Sequence, residues 1–153
     1  MSTSRTILIT GACHEAGAAV CRALAGAGDA VLLADRDATA LEKLAADTGA
    51  LAVPTDLASP VSVRRLVEQT LGAFGRLDVA VNLGDGIPLA MAYEIPPMRR
   101  AGRGRVVNLA ATAEARKQSR EAALACASTG VSVNAVVPGP HVAAVMVRLC
   151  SIT

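Results

Sequence analysis

Short unbroken apolar runs alternate along this chain with stretches in which apolar residues recur every third or fourth position. The runs 5–9, 30–34, 51–53, 77–83, 105–109 and 131–137 have the length and aliphatic content of buried strands. Between them, 16–27 places Val20, Leu24 and Ala27 on one helical face, and 37–47 places Leu41, Leu44 and Ala45 likewise. Ser59-Pro60 opens a third helix, since serine caps and proline suits the first helical position. Val63, Val67, Leu71 and Phe74 then share its face, and 113–127 predicts a further helix. Strand–helix alternation of this kind predicts an α/β fold, a Rossmann-like doubly wound parallel sheet of about six strands in a single domain, 1–153.

One segment breaks the pattern. Residues 84–104 carry Pro88, Pro96, Pro97 and several glycines. The length suffices for a crossover between parallel strands, but the paired prolines predict that no continuous helix crosses it. Pro138-Gly139-Pro140 stops the sixth strand, and no element is predicted beyond it.

Composition narrows the function classes. The 153 residues include 32 alanines, no tryptophan, and two aromatics, Phe74 and Tyr93. Small side chains bury little area each, at roughly 25 cal/mol per Å², so the core is thin and a ligand or a homodimer would help it. Lys and Arg number 15, 13 of them arginine, against 13 acids, for a net charge of +2. That balance shows no nucleic-acid footprint, and two aromatics build no base-stacking platform. No apolar run approaches the roughly 18 residues of a membrane helix. Cys13, Cys21, Cys126 and Cys150 form no C-x-x-C pair, and 1–10 lacks a long apolar region with a cleavage site. The expectation is a cytoplasmic, reduced protein with no membrane or nucleic-acid partner. Cys13-His14-Glu15 are consecutive and do not converge on one ion, so no metal site is expected. The basic run Arg99-Arg100-Ala101-Gly102-Arg103-Gly104-Arg105 could grip a phosphate or an acidic partner, but a solvated turn before a strand is the simpler reading.

The strongest chemical signal is Thr10-Gly11-Ala12-Cys13-His14-Glu15-Ala16-Gly17, between the first strand and the first helix. Backbone there can approach a pyrophosphate, and the helix start offers free N–H groups and a positive dipole end. Asp35 closes the second strand, where a dinucleotide site places a carboxylate on the ribose hydroxyls. An acid there repels a 2′-phosphate and favours NAD over NADP, although Arg36 beside it pulls the other way.

These residues resemble the short-chain dehydrogenase/reductase family, whose loop reads T-G-x-x-x-G-x-G. Thr10, Gly11 and Gly17 match, and Glu15 stands at the middle glycine. Val53-Pro54-Thr55-Asp56-Leu57 resembles the family's adenine-contacting segment, and Asn82-Leu83-Gly84-Asp85 stands where it has N-N-A-G. Residues 104–109 resemble the strand before the catalytic serine, and 131–140 resemble the late V-N-x-V-x-P-G segment. The resemblance implies that Thr10, Gly11, Gly17, Asp35, Arg36, Asp56, Leu57, Asn82, Gly84, Pro138 and Gly139 hold a dinucleotide, NAD before NADP. It implies hydride transfer between nicotinamide and a carbonyl or alcohol carbon of an unidentified small molecule.

The family's chemistry also needs a serine, a tyrosine and a lysine four residues after it. After Leu109 this chain has Ala110-Ala111-Thr112, and the resemblance puts Arg116 and Arg120 at the tyrosine and lysine. Arginine stays protonated and cannot replace a titrating phenol. The weak catalytic candidates are Thr112 and Tyr93, the latter on the connection before the fifth strand and expected as a half-packed loop residue. The resemblance further implies shortened connections after the fourth strand and at the C-terminus. Three readings stay open: an oxidoreductase of weak or no standard activity, a non-catalytic nucleotide-binding or interaction protein, and a degraded, internally deleted gene product.

Overall fold

The structure is a computed structural model that describes residues 4–151. Six strands and six helices alternate strictly: β1 (Thr6–Thr10), α1 (Gly17–Ala25), β2 (Ala30–Asp35), α2 (Ala38–Thr48), β3 (Leu51–Pro54), α3 (Pro60–Phe74), β4 (Val79–Asn82), α4 (Ile87–Ala101), β5 (Gly104–Leu109), α5 (Ala113–Ala125), β6 (Val131–Val136) and α6 (Val142–Ser151). The strands form one sheet in the order β3-β2-β1-β4-β5-β6, all parallel. The α/β expectation therefore holds. The chain runs outward from β1 to β3, then returns through α3 to place β4 beside β1. That reversal opens a crevice at the carboxyl ends of β1 and β4.

Helices on both faces explain why the central strands are apolar throughout rather than alternating. Ile7, Ile9, Leu33, Val79 and Val81 face α1, α2 and α6, whereas Leu8, Leu32, Ala80 and Val106 face α3, α4 and α5. Burying each large aliphatic side chain here contributes about 1.5–3 kcal/mol. Caps fall where local chemistry puts them. Asp37 accepts from the Ala40 N–H, Ser59 from Ser62 and Thr112 from Ala115, while Gly49, Gly75 and Gly102 close helices at positive φ.

Three expectations are corrected. The segment after β4 is one continuous helix, α4, in spite of Pro96 and Pro97. Interior prolines cost about 3 kcal/mol or more each through a lost hydrogen bond and a ring clash. The opposing contribution is tertiary: Ile87, Ala90, Met91, Glu94 and Met98 form a fully buried stripe, while Pro96 lies on the exposed side. Tyr93 accordingly lies on a helix rather than in a loop. Finally, 142–151 forms α6, which packs on α1 and the sheet with Met146 and Cys150 fully buried.

Candidate functional site

The carboxyl edge at the strand reversal is held by backbone. Gly11 adopts φ +69°, and a Cβ there would strike the Leu83 carbonyl. Glycine is thus required both by conformation and by the approach of β1 to the end of β4. A Cβ on Gly17 would strike the Ala12 carbonyl, so the loop folds back onto the start of α1. The N–H groups of Gly11 and Ala12 both donate to the Ala34 carbonyl, at 2.9 and 3.3 Å. Asp35 clasps the loop: its Oδ2 accepts from the Cys13 N–H at 3.0 Å and its Oδ1 from the Arg36 N–H at 2.7 Å. Among the described residues, the N–H groups of Glu15, Ala18 and Ala19 have no protein acceptor. They are the free donors at this helix start.

Above the loop lies a cavity of about 480 Å³. The glycine loop contributes Gly11, Cys13 and His14, the end of β2 contributes Asp35 and Arg36, and the β3–α3 connection contributes Leu57 and Ala58. Residues 83–86 close the far side. Five of the sequence-predicted cofactor residues, Gly11, Asp35, Arg36, Leu57 and Gly84, thus share one cavity. Asp56 stands at its rim, where its Oδ1 accepts from Arg36 Nη2 at 2.8 Å and from the Ala58 N–H at 3.1 Å. The Arg36 guanidinium beside it holds the Asp56 carboxyl below the usual carboxylate range. Glu15 is exposed and does not line the cavity.

Other predicted residues lie elsewhere. Thr10 and Asn82 are buried beneath the cavity, and Gly17 is buried under the loop. Pro138 and Gly139 are exposed past β6 and do not line the cavity. Thr112 borders a neighbouring cavity of about 240 Å³ with Gly84, Pro88 and Gln118, and its Oγ1 accepts from the Ala115 N–H at 3.0 Å as the cap of α5. Arg116 Nη1 reaches the Ala110 carbonyl at 3.5 Å, and Arg120 is exposed. Tyr93 lines a different groove, between α3 and α4, with Val67, Leu71, Pro96 and Pro97. Thr112 and Tyr93 are not brought together.

Sequence reasoning missed a buried polar network under the site. Thr10 Oγ1 donates to Asn82 Oδ1 at 2.7 Å, and Asn82 Nδ2 donates to Glu94 Oε1 at 2.8 Å and to Asn108 Oδ1 at 3.0 Å. Asn108 Nδ2 donates to Ser119 Oγ at 3.1 Å, and Ser119 donates to the Ala115 carbonyl at 2.8 Å. Glu94 is fully buried, and its Oε2 has no partner among the described residues. Burial pushes its carboxyl up to about 7, against the opposing Asn82 hydrogen bond. Its signal was the spacing Ile87, Met91, Glu94, Met98, legible only to a reader who allows a helix through the prolines.

All four cysteines are free thiols, Cys13 exposed and Cys21, Cys126 and Cys150 buried. Burial, then the nearby Asp35 charge, pushes the exposed Cys13 thiol up, and burial pushes Cys21 up to about 12 and Cys150 up to about 11. Among the described residues, no three His, Cys, Asp or Glu side chains converge as metal ligands, and no helix is long and apolar enough to cross a membrane.

Residues 5–87, from the run-in to β1 through the start of α4, match the family model described as short chain dehydrogenase. The chain belongs to the short-chain dehydrogenase family. Across 88% of its length it is 31% identical to the cis-4-hydroxycyclohexanecarboxylate dehydrogenase of Sinomonas cyclohexanicum, covering 72% of that protein. Across 90% it is 33% identical to a Thauera aromatica (2S)-[(R)-hydroxy(phenyl)methyl]succinyl-CoA dehydrogenase subunit, covering 73% of it. The first comparison spans 180 positions, so about 45 of them face gaps in this 153-residue chain. Among solved structures, a metagenomic short-chain oxidoreductase crystallised with NADP superposes with a TM-score of 0.89 over 97% of this chain and 91% of that one, at 22% identity. The chain therefore has the fold of that structure and spans 72% and 73% of the lengths of these two relatives.

Proposed function

We propose that this member of the short-chain dehydrogenase family binds a nicotinamide dinucleotide at the carboxyl edge, NAD in preference to NADP, and has weak or no standard activity on carbonyls or alcohols. The observation that carries the reading is a division within the site. The cavity over Gly11, Asp35 and Leu57 is open and built, while the neighbouring corner holds a capping Thr112 and no tyrosine among the described residues.

The residues present fit the adenosine half of the group. Gly11 lets backbone come close, Glu15, Ala18 and Ala19 leave N–H groups free for phosphate oxygens, and Asp35 presents a carboxylate to the cavity. Leu57 and Ala58 supply an apolar wall for a base. Arg36 is engaged with Asp56, which lessens its pull on a 2′-phosphate and leaves the Asp35 repulsion in charge of the NAD preference. Pro138 and Gly139, proposed for the nicotinamide half, stay outside the cavity. A bound nicotinamide supplies hydride chemistry; this chain would have to move the accompanying proton. Arg116 cannot do so at neutral pH, and Tyr93 lies in another groove.

Calorimetric titration with NADH and NADPH, run beside NADH oxidation over a panel of ketones, tests the reading. Saturable NADH binding tighter than NADPH, with negligible turnover, is expected. No heat and no thermal shift at millimolar NADH rejects dinucleotide binding. Turnover that survives Thr112→Ala and Tyr93→Phe rejects the assignment of these two as the candidate acids.

A further inference from the structure

A second cavity, of about 420 Å³, lies at the opposite edge of the sheet, where β1, β4, β5 and β6 begin. Four arginines from three separate segments line it: Arg5, Arg76, Arg103 and Arg105. They converge because parallel strands start side by side. Arg5 precedes β1, Arg76 precedes β4, and Arg103 and Arg105 flank the start of β5. The basic run before β5 is therefore half of a built arrangement rather than a solvated turn alone.

The charges there do not balance. Arg5 Nη2 pairs with Asp29 at 3.1 Å. Arg76 pairs with the buried Asp78 through two bonds of 2.7 and 2.8 Å. Burial pushes the Asp78 carboxyl up, but Arg76, the Thr6 N–H and Arg103 together hold it below the usual range. Arg103 lies 3.5 Å from the same carboxylate, which Arg76 already occupies. Arg105 is half-buried and has no carboxylate within 4.0 Å among the described residues. Two guanidinium charges are thus left in surplus at one concave site. Guanidinium forks suit phosphate oxygens in geometry and charge. The site's size suits a small anion rather than a polymer.

We infer that this amino-edge cavity binds a small phosphate-bearing anion through Arg103 and Arg105, with Arg5 and Arg76 fixed by their carboxylates as its walls. The site is separate from the carboxyl-edge cavity and does not rest on the dinucleotide reading.

Nuclear magnetic resonance titration of the whole chain with inorganic pyrophosphate tests it, with acetate as the control anion. Saturable shifts are expected in the amides of residues 103–105 and 130–132, absent with acetate. Arg105→Ala and Arg103→Ala should each weaken binding about tenfold, while Arg64→Ala, on the exposed side of α3, should change it less than twofold. Arg103 is 60% exposed, so its variant keeps the fold, and the same spectra report folding for each variant. Shifts confined to residues 11–19, equal shifts with acetate, or unchanged affinity in a folded Arg103→Ala would each overturn the inference.

Discussion

The two halves of this chain follow different rules. From β1 to β4, local signals and final structure agree: aliphatic runs become strands, Ser59 and Asp37 cap, and glycines stand where chain meets chain. The span that matches the family model, residues 5–87, covers this half and reaches only the start of α4. From α4 to α6, β5, α5 and β6 still follow their local signals, but other features depart from them. A helix runs through two prolines, a carboxylic acid lies fully buried, and the threonine nearest the expected serine serves as a cap. Local propensity decides structure only where tertiary packing has no reason to oppose it.

The sharpest way to break the contrast is Gly11→Val. It puts a branched side chain at positive φ and against the Leu83 carbonyl. A loss of about 3–5 kcal/mol is expected, enough to leave a thin-cored chain largely unfolded in urea titrations. A folded Gly11→Val protein would show that the first half is less constrained than its geometry implies.

Glu94 gives the next largest effect, in the second half. Its folded pKa is raised from 4.5 to about 7 by burial, so the folded state binds more protons than the unfolded state between those values. Its contribution to stability is fully present below pH 4.5 and is lost as pH rises through 7, amounting to roughly 3 kcal/mol. Glu94→Gln should remove that slope and gain stability over the parent at pH 8 but not at pH 4.5. Urea midpoints across this range check it; parallel pH profiles for the two proteins would contradict it.

Pro96→Ala sharpens the contrast at lower magnitude. Restoring a helical N–H on the exposed side should add about 1–2 kcal/mol, seen as a higher thermal midpoint. The smallest effect is Thr112→Ala, which removes the α5 cap and should cost about 1 kcal/mol. No loss of stability in that variant would show that the Thr112 cap contributes nothing to α5.

Much of the fold was legible because aliphatic content, cap chemistry and strand–helix alternation are properties of neighbouring residues. The candidate site was legible in its glycine and in Asp35, whose roles follow from one strand–loop–helix unit. Glu94 and the Asn82–Asn108–Ser119 relay were not, because they meet only when β4, α4, β5 and α5 pack together. Helix α6 follows Pro138-Gly139-Pro140, which signal a stop, and its Val142, Met146 and Cys150 become a buried face only by packing on α1 and the sheet.

By itself, then, the amino-acid order determined the alternating elements, the parallel sheet, the glycine loop and the acid after β2. These depend on backbone propensity and burial within a few residues. Tertiary structure alone decided that a proline-bearing helix survives, that Glu94 is sealed beneath the cleft, and that arginines from three distant segments share one cavity. Each depends on which strands lie side by side. The burial of an element's inner face can outweigh local costs of several kcal/mol that nothing in the neighbouring sequence offsets.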